Sequence, residues 1–331
     1  MSRYSRQLFP FCGLVFLFAL WSVLVPEHFL AWRNLMNILR GASVTGIAAV
    51  GMTFVVIIGG IDLSIGAVLA VSGMVSAMSM LLLSGAGMVE IGNGIYVPLG
   101  FMPMLAGTFF AIFAGGLAGM LNGELVARLK VAPFLATLGS MLLFRGLSLL
   151  FNDGRPAVVS DYTWLDAGTV FGIPAAVLLF AFVLVCGGFL LQYTTFGRYA
   201  RALGSSPRTA LYAGIDVVRL KILIYVLCGV LAGVAALVRM SRMGSANPSS
   251  AGIGLELDVI AAVLLGGASP SGGRGTMVGA LIGVLFVAML RNGMTLLDLS
   301  LYWQMVTVGT LMLAAMAQDR FETLRIDPAK L

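Results

Sequence analysis

The chain has 331 residues, of which 60% are hydrophobic and 10% charged, with a net charge of +6 and a mean hydropathy of +1.02. Soluble domains carry about 25% charged residues, so a chain this poor in charge cannot cover a water-facing surface, and a soluble enzyme is excluded. The positive charges do not gather into a face for nucleic acid; they sit in short gaps between apolar runs, where membrane anchors belong.

Ten apolar segments follow one another: Leu8–Val25, Val44–Ile58, Gly66–Leu83, Leu99–Leu121, Pro133–Phe151, Pro174–Tyr193, Ile222–Val238, Leu257–Gly267, Thr276–Arg291 and Tyr302–Gln318. A spanning helix needs about 20 apolar residues, so the second and eighth are short. Arg3 and Arg6 precede the first segment as in a signal peptide. The stretch is long and no small-x-small cleavage site follows, so it reads as an uncleaved first helix. The gaps leave no room for a soluble domain, and residues 1–331 read as one polytopic unit.

The bias of Lys and Arg sets the orientation. With the N-terminus inside, the inner side holds Arg3, Arg6, Arg128, Lys130, Arg198, Arg201, Arg208, Arg219, Lys221, Arg274, Arg320, Arg325 and Lys330, most of the 20 basic residues. Arg33 and Arg40 fall on the other side, on an interfacial helix with Trp32. These readings predict an all-α integral membrane protein of about ten transmembrane helices, with both termini cytoplasmic and some helices short or broken at Gly-Gly sites.

The largest inner gap, Thr194–Lys221, holds five basic residues. Within it, Arg208 to Ala213 reads as a short helix after Pro207, ended by Gly214. A tight connector needs no such helix, whereas a surface for another protein does. The outer gaps Ser84–Pro98, Asn152–Ile173 and Ser241–Gly254 are read either as solvated loops or as contacts for a soluble partner. Cys12, Cys186 and Cys228 stand singly in apolar runs and are taken as small buried hydrophobes. His28 is the single histidine, which leaves no histidine pair for a metal site or catalytic dyad.

Three constellations could carry function. The first is Gly59-Gly60-Ile61-Asp62-Leu63-Ser64-Ile65-Gly66. At membrane depth irregular backbone survives only where protein or a watery cavity covers it, which makes Asp62 and Ser64 pathway or gate candidates. A capped turn in water at the inner face is the other reading, and both stay open. The second is Leu265-Gly266-Gly267-Ala-Ser-Pro-Ser-Gly-Gly-Arg274-Gly-Thr, which repeats the Gly-Gly break; paired breaks of this kind point to a translocation site in repeat-built transporters. Arg274 is read as an inner-face anchor. The third is the set of charges in or beside apolar runs: Glu124, Arg145, Glu256, Asp258 and Arg291. Arg145 and Arg291 are expected to snorkel to an outer interface, and Glu256 and Asp258 to stand at the entrance of a span. No Gly-x4-Gly-Lys-Ser/Thr loop exists, so ATP, if it drives transport, binds another polypeptide.

Together these features resemble the permeases of ribose-type ABC importers, the group that serves ribose, xylose, arabinose, galactose, galactofuranose and autoinducer-2. The marks are Gly51-Met-Thr-Phe-Val-Val-Ile-Ile-Gly-Gly-Ile-Asp-Leu-Ser-Ile-Gly66, Val131-Ala-Pro-Phe-Leu-Ala-Thr-Leu-Gly139 with Arg145-Gly146, and Phe196-Gly-Arg-Tyr-Ala-Arg-Ala-Leu-Gly204. Ala213-Gly-Ile-Asp216 and Glu256-Leu-Asp-Val-Ile-Ala-Ala-Val-Leu-Leu-Gly-Gly267 with Ser271-Gly-Gly-Arg-Gly275 complete them. The resemblance implies a pore subunit of a bacterial inner-membrane importer for a monosaccharide or small polyol. Its partners would be a second permease chain, a periplasmic or lipid-anchored sugar-binding protein, membrane lipid, and a cytoplasmic ATPase that holds ATP and Mg. The ATPase would dock at Arg198, Arg201, Gly204, Pro207, Arg208, Ala210 and Gly214, where Gly204-Ser205-Ser206 has Ser in place of the Asn of the family's Gly-x-Asn-x-x-Ala stretch. An ion-driven secondary transporter is the competing reading, but few intramembrane carboxylates are present. An intramembrane enzyme lacks its constellations: Asp62 and Asp258 sit in no aspartyl-protease motif.

Overall fold

The computed structural model describes residues 5–87 and 92–326. Arg3 and Lys330, assigned above to the inner side, lie outside the described residues, as does the middle of the Ser84–Pro98 gap. Every apolar segment forms a helix. In chain order these are α1 (Ser5–Leu24), a short α2 (Pro26–Phe29), α3 (Trp32–Ile57), α4 (Ile65–Leu83), α5 (Phe101–Ala127) and α6 (Pro133–Leu150). A small folded stretch follows, with β1 (Ala157–Val158), α7 (Trp164–Ala167), β2 (Thr169–Val170) and β3 (Ile173–Pro174). Then come α8 (Ala175–Tyr193), α9 (Thr195–Ser205), α10 (Pro207–Tyr212), α11 (Val217–Met243), β4 (Ser245–Ala246), α12 (Leu255–Leu265), α13 (Met277–Leu296) and α14 (Leu301–Ile326).

Among the described residues, seven helices are long and apolar enough to cross a bilayer: α3, α4, α5, α6, α8, α11 and α13. Helices α1 and α14 carry shorter apolar stretches, Pro10–Leu24 and Leu301–Ala317, and α12 has only 11 residues. The second segment is not short. Helix α3 runs unbroken for 26 residues and includes Trp32, Arg33 and Arg40, so no separate interfacial helix exists there. Its polar first turns lower the hydropathy without breaking the helix.

Helices α3 and α4 are the inner pair, with 83% of their apolar windows buried, against 28% for α5 and α6 and 22% for α8. The outer helices turn Phe109, Phe113, Leu142, Phe182 and Phe189 outward, as a lipid solvent permits. Cys12 and Cys186 are also exposed on this surface, contrary to expectation; only Cys228 is buried. Lipid tails are as apolar as a cysteine, so nothing drives these two inward.

Close backbone approach holds the interior together. Gly115, Gly119 and Gly123 of α5 face Gly229, Tyr225 and Ile222 of α11, and a Cβ at Gly115 or Gly119 would overlap the Gly229 or Tyr225 carbonyl oxygen. Gly233 meets the Ala111 carbonyl in the same way. The four-residue glycine spacing puts one bare face along α5, which is how membrane helices pack without a hydrophobic driving force.

The Asn152–Ile173 gap is folded rather than a plain solvated loop. β1 pairs antiparallel with β4, matching Ala157 to Ala246 and Val158 to Ser245, and β2 pairs with β3. Tyr162 is fully buried with its hydroxyl 3.2 Å from that of Thr108. Ser241 Oγ accepts from the Leu165 and Asp166 amides at 3.1 and 3.2 Å. The gap thus caps the end of α5 and α11 away from α9.

The glycine face makes a direct prediction. Gly119→Ala forces overpacking worth about 1–3 kcal/mol and should lower the unfolding midpoint of the detergent-purified protein. Gly139→Ala, where nothing lies within 4 Å of the added Cβ, should leave the midpoint unchanged or raise it.

Candidate functional site

Helix α3 ends because Gly59 adopts φ +76°. Its amide and that of Gly60 close back onto the Val56 and Val55 carbonyls at 2.9 Å. The chain then runs irregularly until α4 begins at Ile65. This segment is not a turn in water: Asp62 is 2% exposed and Ser64 0%. The Asp62 carboxylate instead folds onto its own loop, with Oδ1 accepting from the Ser64 amide at 2.9 Å and the Ser64 hydroxyl at 2.6 Å.

Three other helices reach the same loop. Asn122 of α5 donates from Nδ2 to Ser64 Oγ at 2.8 Å. Thr137 of α6 donates to the Ile61 carbonyl at 3.2 Å. The Cys228 thiol of α11 lies within hydrogen-bonding reach of the Asp62 carboxylate, as does the Asn122 amide. Tyr225, one turn earlier, places its hydroxyl 2.8 Å from where a Gly60 Cβ would stand. The Tyr225 hydroxyl and Asn122 Oδ1 are buried without a hydrogen-bond partner. No Lys or Arg pairs with Asp62 among the described residues. A carboxyl buried in this way, beside unspent polar atoms, is costly, and such arrangements in membrane proteins mark function. The glycine contact of α5 with α11 aims Asn122, Tyr225 and Cys228, and Gly51 of α3, with its would-be Cβ 2.8 Å from Cys228 Cα, fixes α11 from the other side.

The two Gly-Gly breaks meet. The Gly273 amide donates to the Ile57 carbonyl at 2.7 Å, joining the loop after α12 to the end of α3. Gly204, in the last turn of α9, abuts the same carbonyl, and a Cβ there would overlap it. A Cβ at Gly272 would come within 2.8 Å of Gly204 O and 3.1 Å of Gly59 N. Three chain segments from distant parts of the sequence therefore touch through backbone alone.

The remaining candidates divide. Glu256 Oε1 accepts from the Gly254 amide at 3.3 Å, and its other oxygen lies against Gly66. Asp258 forms an ion pair with Arg291 at 2.6 Å. Arg145 donates to the Pro248 and Ala251 carbonyls at 3.1 and 2.6 Å. Arg145 and Arg291 therefore both end on protein acceptors, Arg145 on carbonyls of the Ser241–Gly254 gap and Arg291 on Asp258. Glu124 pairs along its own helix with Arg128 at 3.1 Å. Gly266 packs backbone to backbone on Gly279, while Gly267 turns the chain at φ +85°. Neither Glu256 nor Asp258 is bonded to Asp62.

In the Thr194–Lys221 gap, the helix expected after Pro207 occupies Pro207–Tyr212. Ser206 caps it through the Thr209 amide at 3.3 Å, and Gly214 follows at φ +78°. A second helix, α9, precedes it and was not expected. It buries Gly197, Ala200 and Leu203 on one face and exposes Arg198. Arg208, Pro207 and Gly214 are exposed and Ala210 is buried. Sequence reasoning also missed Asn122, Thr137, Tyr225 and Cys228 as neighbours of the Gly59–Ser64 loop. Asn122 carried a signal: an amide within a glycine-spaced apolar helix.

Long apolar helices broken at paired glycines, with a buried polar cluster where the breaks meet, define a membrane permease. The chain belongs to the family described as the branched-chain amino acid transport system permease component, whose model matches residues 34–316. It is 41% identical to the ribose import permease protein RbsC of Bacillus subtilis (strain 168), over 95% of this chain and 93% of that one. It is 35% identical to the D-allose transport system permease protein AlsC of Escherichia coli (strain K12), over 93% of this chain and 89% of that one. With the L-arabinose ABC transporter permease protein AraH of Azospirillum brasilense it shares 34% identity over 92% of this chain and 85% of that one. No solved structure matches.

The cluster predicts coupling between two side chains. Ser64→Ala and Asn122→Ala each remove one end of the same buried bond, so each alone should cost about 1–3 kcal/mol. The double variant should cost less than the sum, by about 0.5–3 kcal/mol in a cycle of unfolding measurements in detergent. Additive losses would separate the two residues.

Proposed function

We propose that this chain is the pore-forming subunit of an ATP-driven, binding-protein-dependent importer of a monosaccharide or related small polyol in a bacterial cytoplasmic membrane. What carries the reading is its alignment with ribose, allose and arabinose permeases over 92–95% of its length. In this reading α1, the paired short elements around α12, and α14 complete about ten spans, and both termini face the cytoplasm. A second permease subunit, identical or related, faces this one across the pore. A sugar-binding protein meets the end formed by β1, β4 and α7.

The cytoplasmic ATPase, which holds ATP and Mg, docks on α9 and α10. Arg208 and Tyr212 project there, with Tyr212 87% exposed beside Leu211 at 62%. An apolar tip ringed by cations suits a protein socket better than water. Through Gly204 the docked segment rests directly on the ends of both helix breaks, so movement of the ATPase reaches the loop of Asp62 without an intervening lever. That loop then serves as the gate.

Two measurements test the reading. Expressed with its genomic neighbours and purified by a tag on this subunit, the chain should bring down a stoichiometric ATPase whose hydrolysis responds to a sugar-loaded binding protein. A bare chain that moves sugar down an ion gradient in liposomes would instead make it a secondary transporter. Separately, Arg208→Glu should weaken ATPase co-purification about tenfold, equivalent to about 1.4 kcal/mol, while the permease stays in the membrane. Undiminished co-purification would move the docking surface elsewhere.

A further inference from the structure

At the end of α3 opposite the Gly204 contact, the bundle holds a polar cleft between α3, the last turns of α11, the first turn of α12, and α13. Two adjoining cavities of about 200 and 180 Å³ form it, and both are lined by Gly41, Thr45, Arg242 and Asp258. Gly41 lines this space beside Arg242, whose Nη1 stands 3.6 Å from where a Gly41 Cβ would be. The charged walls are Arg239, Arg242, Arg291 and Asp258.

The groups in this cleft are only partly spent. Asp258 uses Oδ1 on Arg291 Nη2 at 2.6 Å, and Oδ2 accepts no protein hydrogen bond among the described residues. Arg291 Nε is buried without a partner. Arg242 has no carboxylate partner among the described residues. Arg239 is turned to the Ser250 carbonyl at 3.4 Å. An acceptor, a buried donor and a free guanidinium thus face one small space within an otherwise apolar bundle. Arg242 is exposed and Asp258 and Arg291 are partly so; the cleft therefore opens to solvent, and a ligand that both donates and accepts matches all three groups.

We propose that this cleft is a transit site for a neutral polyol, held by Asp258, Arg291 and Arg242 with Thr45 at its floor. Vicinal hydroxyls give to a carboxylate oxygen and receive from guanidinium nitrogens with no change of charge. The walls carry more positive than negative charge, and what selects a hydroxyl over an anion is the second Asp258 oxygen, which can be satisfied only by a donor. No aromatic side chain lines either cavity, so no ring stacks on the sugar face and binding is weak, as passage requires. The cleft is tied to the proposed gate: Gly252, which lines it in the turn leading into α12, meets Gly66 of α4, two residues beyond Ser64. The ligand class rests on the importer reading above.

The test uses the whole transporter, with its ATPase and binding protein, in proteoliposomes. Uptake of D-ribose, D-allose and L-arabinose is measured for the wild type and for Gly41→Leu, which fills the cleft. In parallel, a Thr45→Cys variant with Cys12 and Cys186 replaced by Ser is labelled with a small hydrophilic thiosulfonate, with and without the imported sugar. Gly41→Leu should assemble normally and import about tenfold more slowly, and the sugar should slow labelling about tenfold. Wild-type import with labelling indifferent to sugar overturns the cleft and leaves the importer standing, as does import at the wild-type rate by Gly41→Leu. Protection by inorganic phosphate but not by sugar overturns it in favour of an anion site. A wild type that imports none of these sugars with ATP overturns the importer reading and the polyol cleft together.

Discussion

Helices α5 and α11 touch backbone to backbone, with the Gly229 and Tyr225 carbonyls occupying the space where side chains at Gly115 and Gly119 would stand. In lipid, apolar side chains gain nothing by leaving their solvent, so this contact rests on dispersion at short range and on helices that give up no rotamer freedom when they meet. It also sets every angle at the site. Asn122 lies one residue before Gly123 on α5, and Tyr225 and Cys228 flank the contact on α11. Displace the glycine face, and Asn122 loses Ser64 while the loop of Asp62 loses its roof.

Around that contact, regular helices alternate with irregular loops. The α5–α11 pair and the buried α3 have no loose side chains between them. The irregular segments are the loop from Gly59 to Ser64 and the loop from Gly266 to Gly275, where glycines at positive φ carry the turns. These loops are joined to each other by the bond from Gly273 to Ile57, and to α9 by Gly204. The polar cluster lies just above this junction and the cleft of Asp258 and Arg291 at the other end of α3. The contact of Gly66 with Gly252 lies between them.

Much of this was legible in the sequence, for reasons that can be named. Apolar runs of membrane length gave the helices, because hydropathy over a window reports the lipid requirement directly. The Gly-Gly breaks stood out because they interrupt such runs, and Pro207 with Gly214 marked α10. What stayed hidden was relational. Hydropathy could not show that Trp32–Ile57 is one helix, since polar residues at a helix end look like a gap. Nor could it show that Arg145 finds carbonyls at Pro248 and Ala251, more than a hundred residues away, or that Arg291 finds Asp258. The side chains that reach the loop of Asp62 come from α5, α6 and α11, and only the packing of all three reveals them. Cys228 looked like its two fellow cysteines until burial set it apart.

The contact at Gly204 has a consequence for the evolution of this chain. Where parts are fitted through side chains, a change on one surface can be absorbed by a rotamer on the other, and the two can drift together over time. Where three main chains meet with nothing between them, there is no such slack. A Cβ added at Gly204 or Gly272 must displace a backbone, and one at Gly273 must displace the Ser205 hydroxyl. Compensation would then need a second change in a segment far away in sequence. Such a joint tolerates little change in composition, while the helices that lead to it pack through side chains that can adjust.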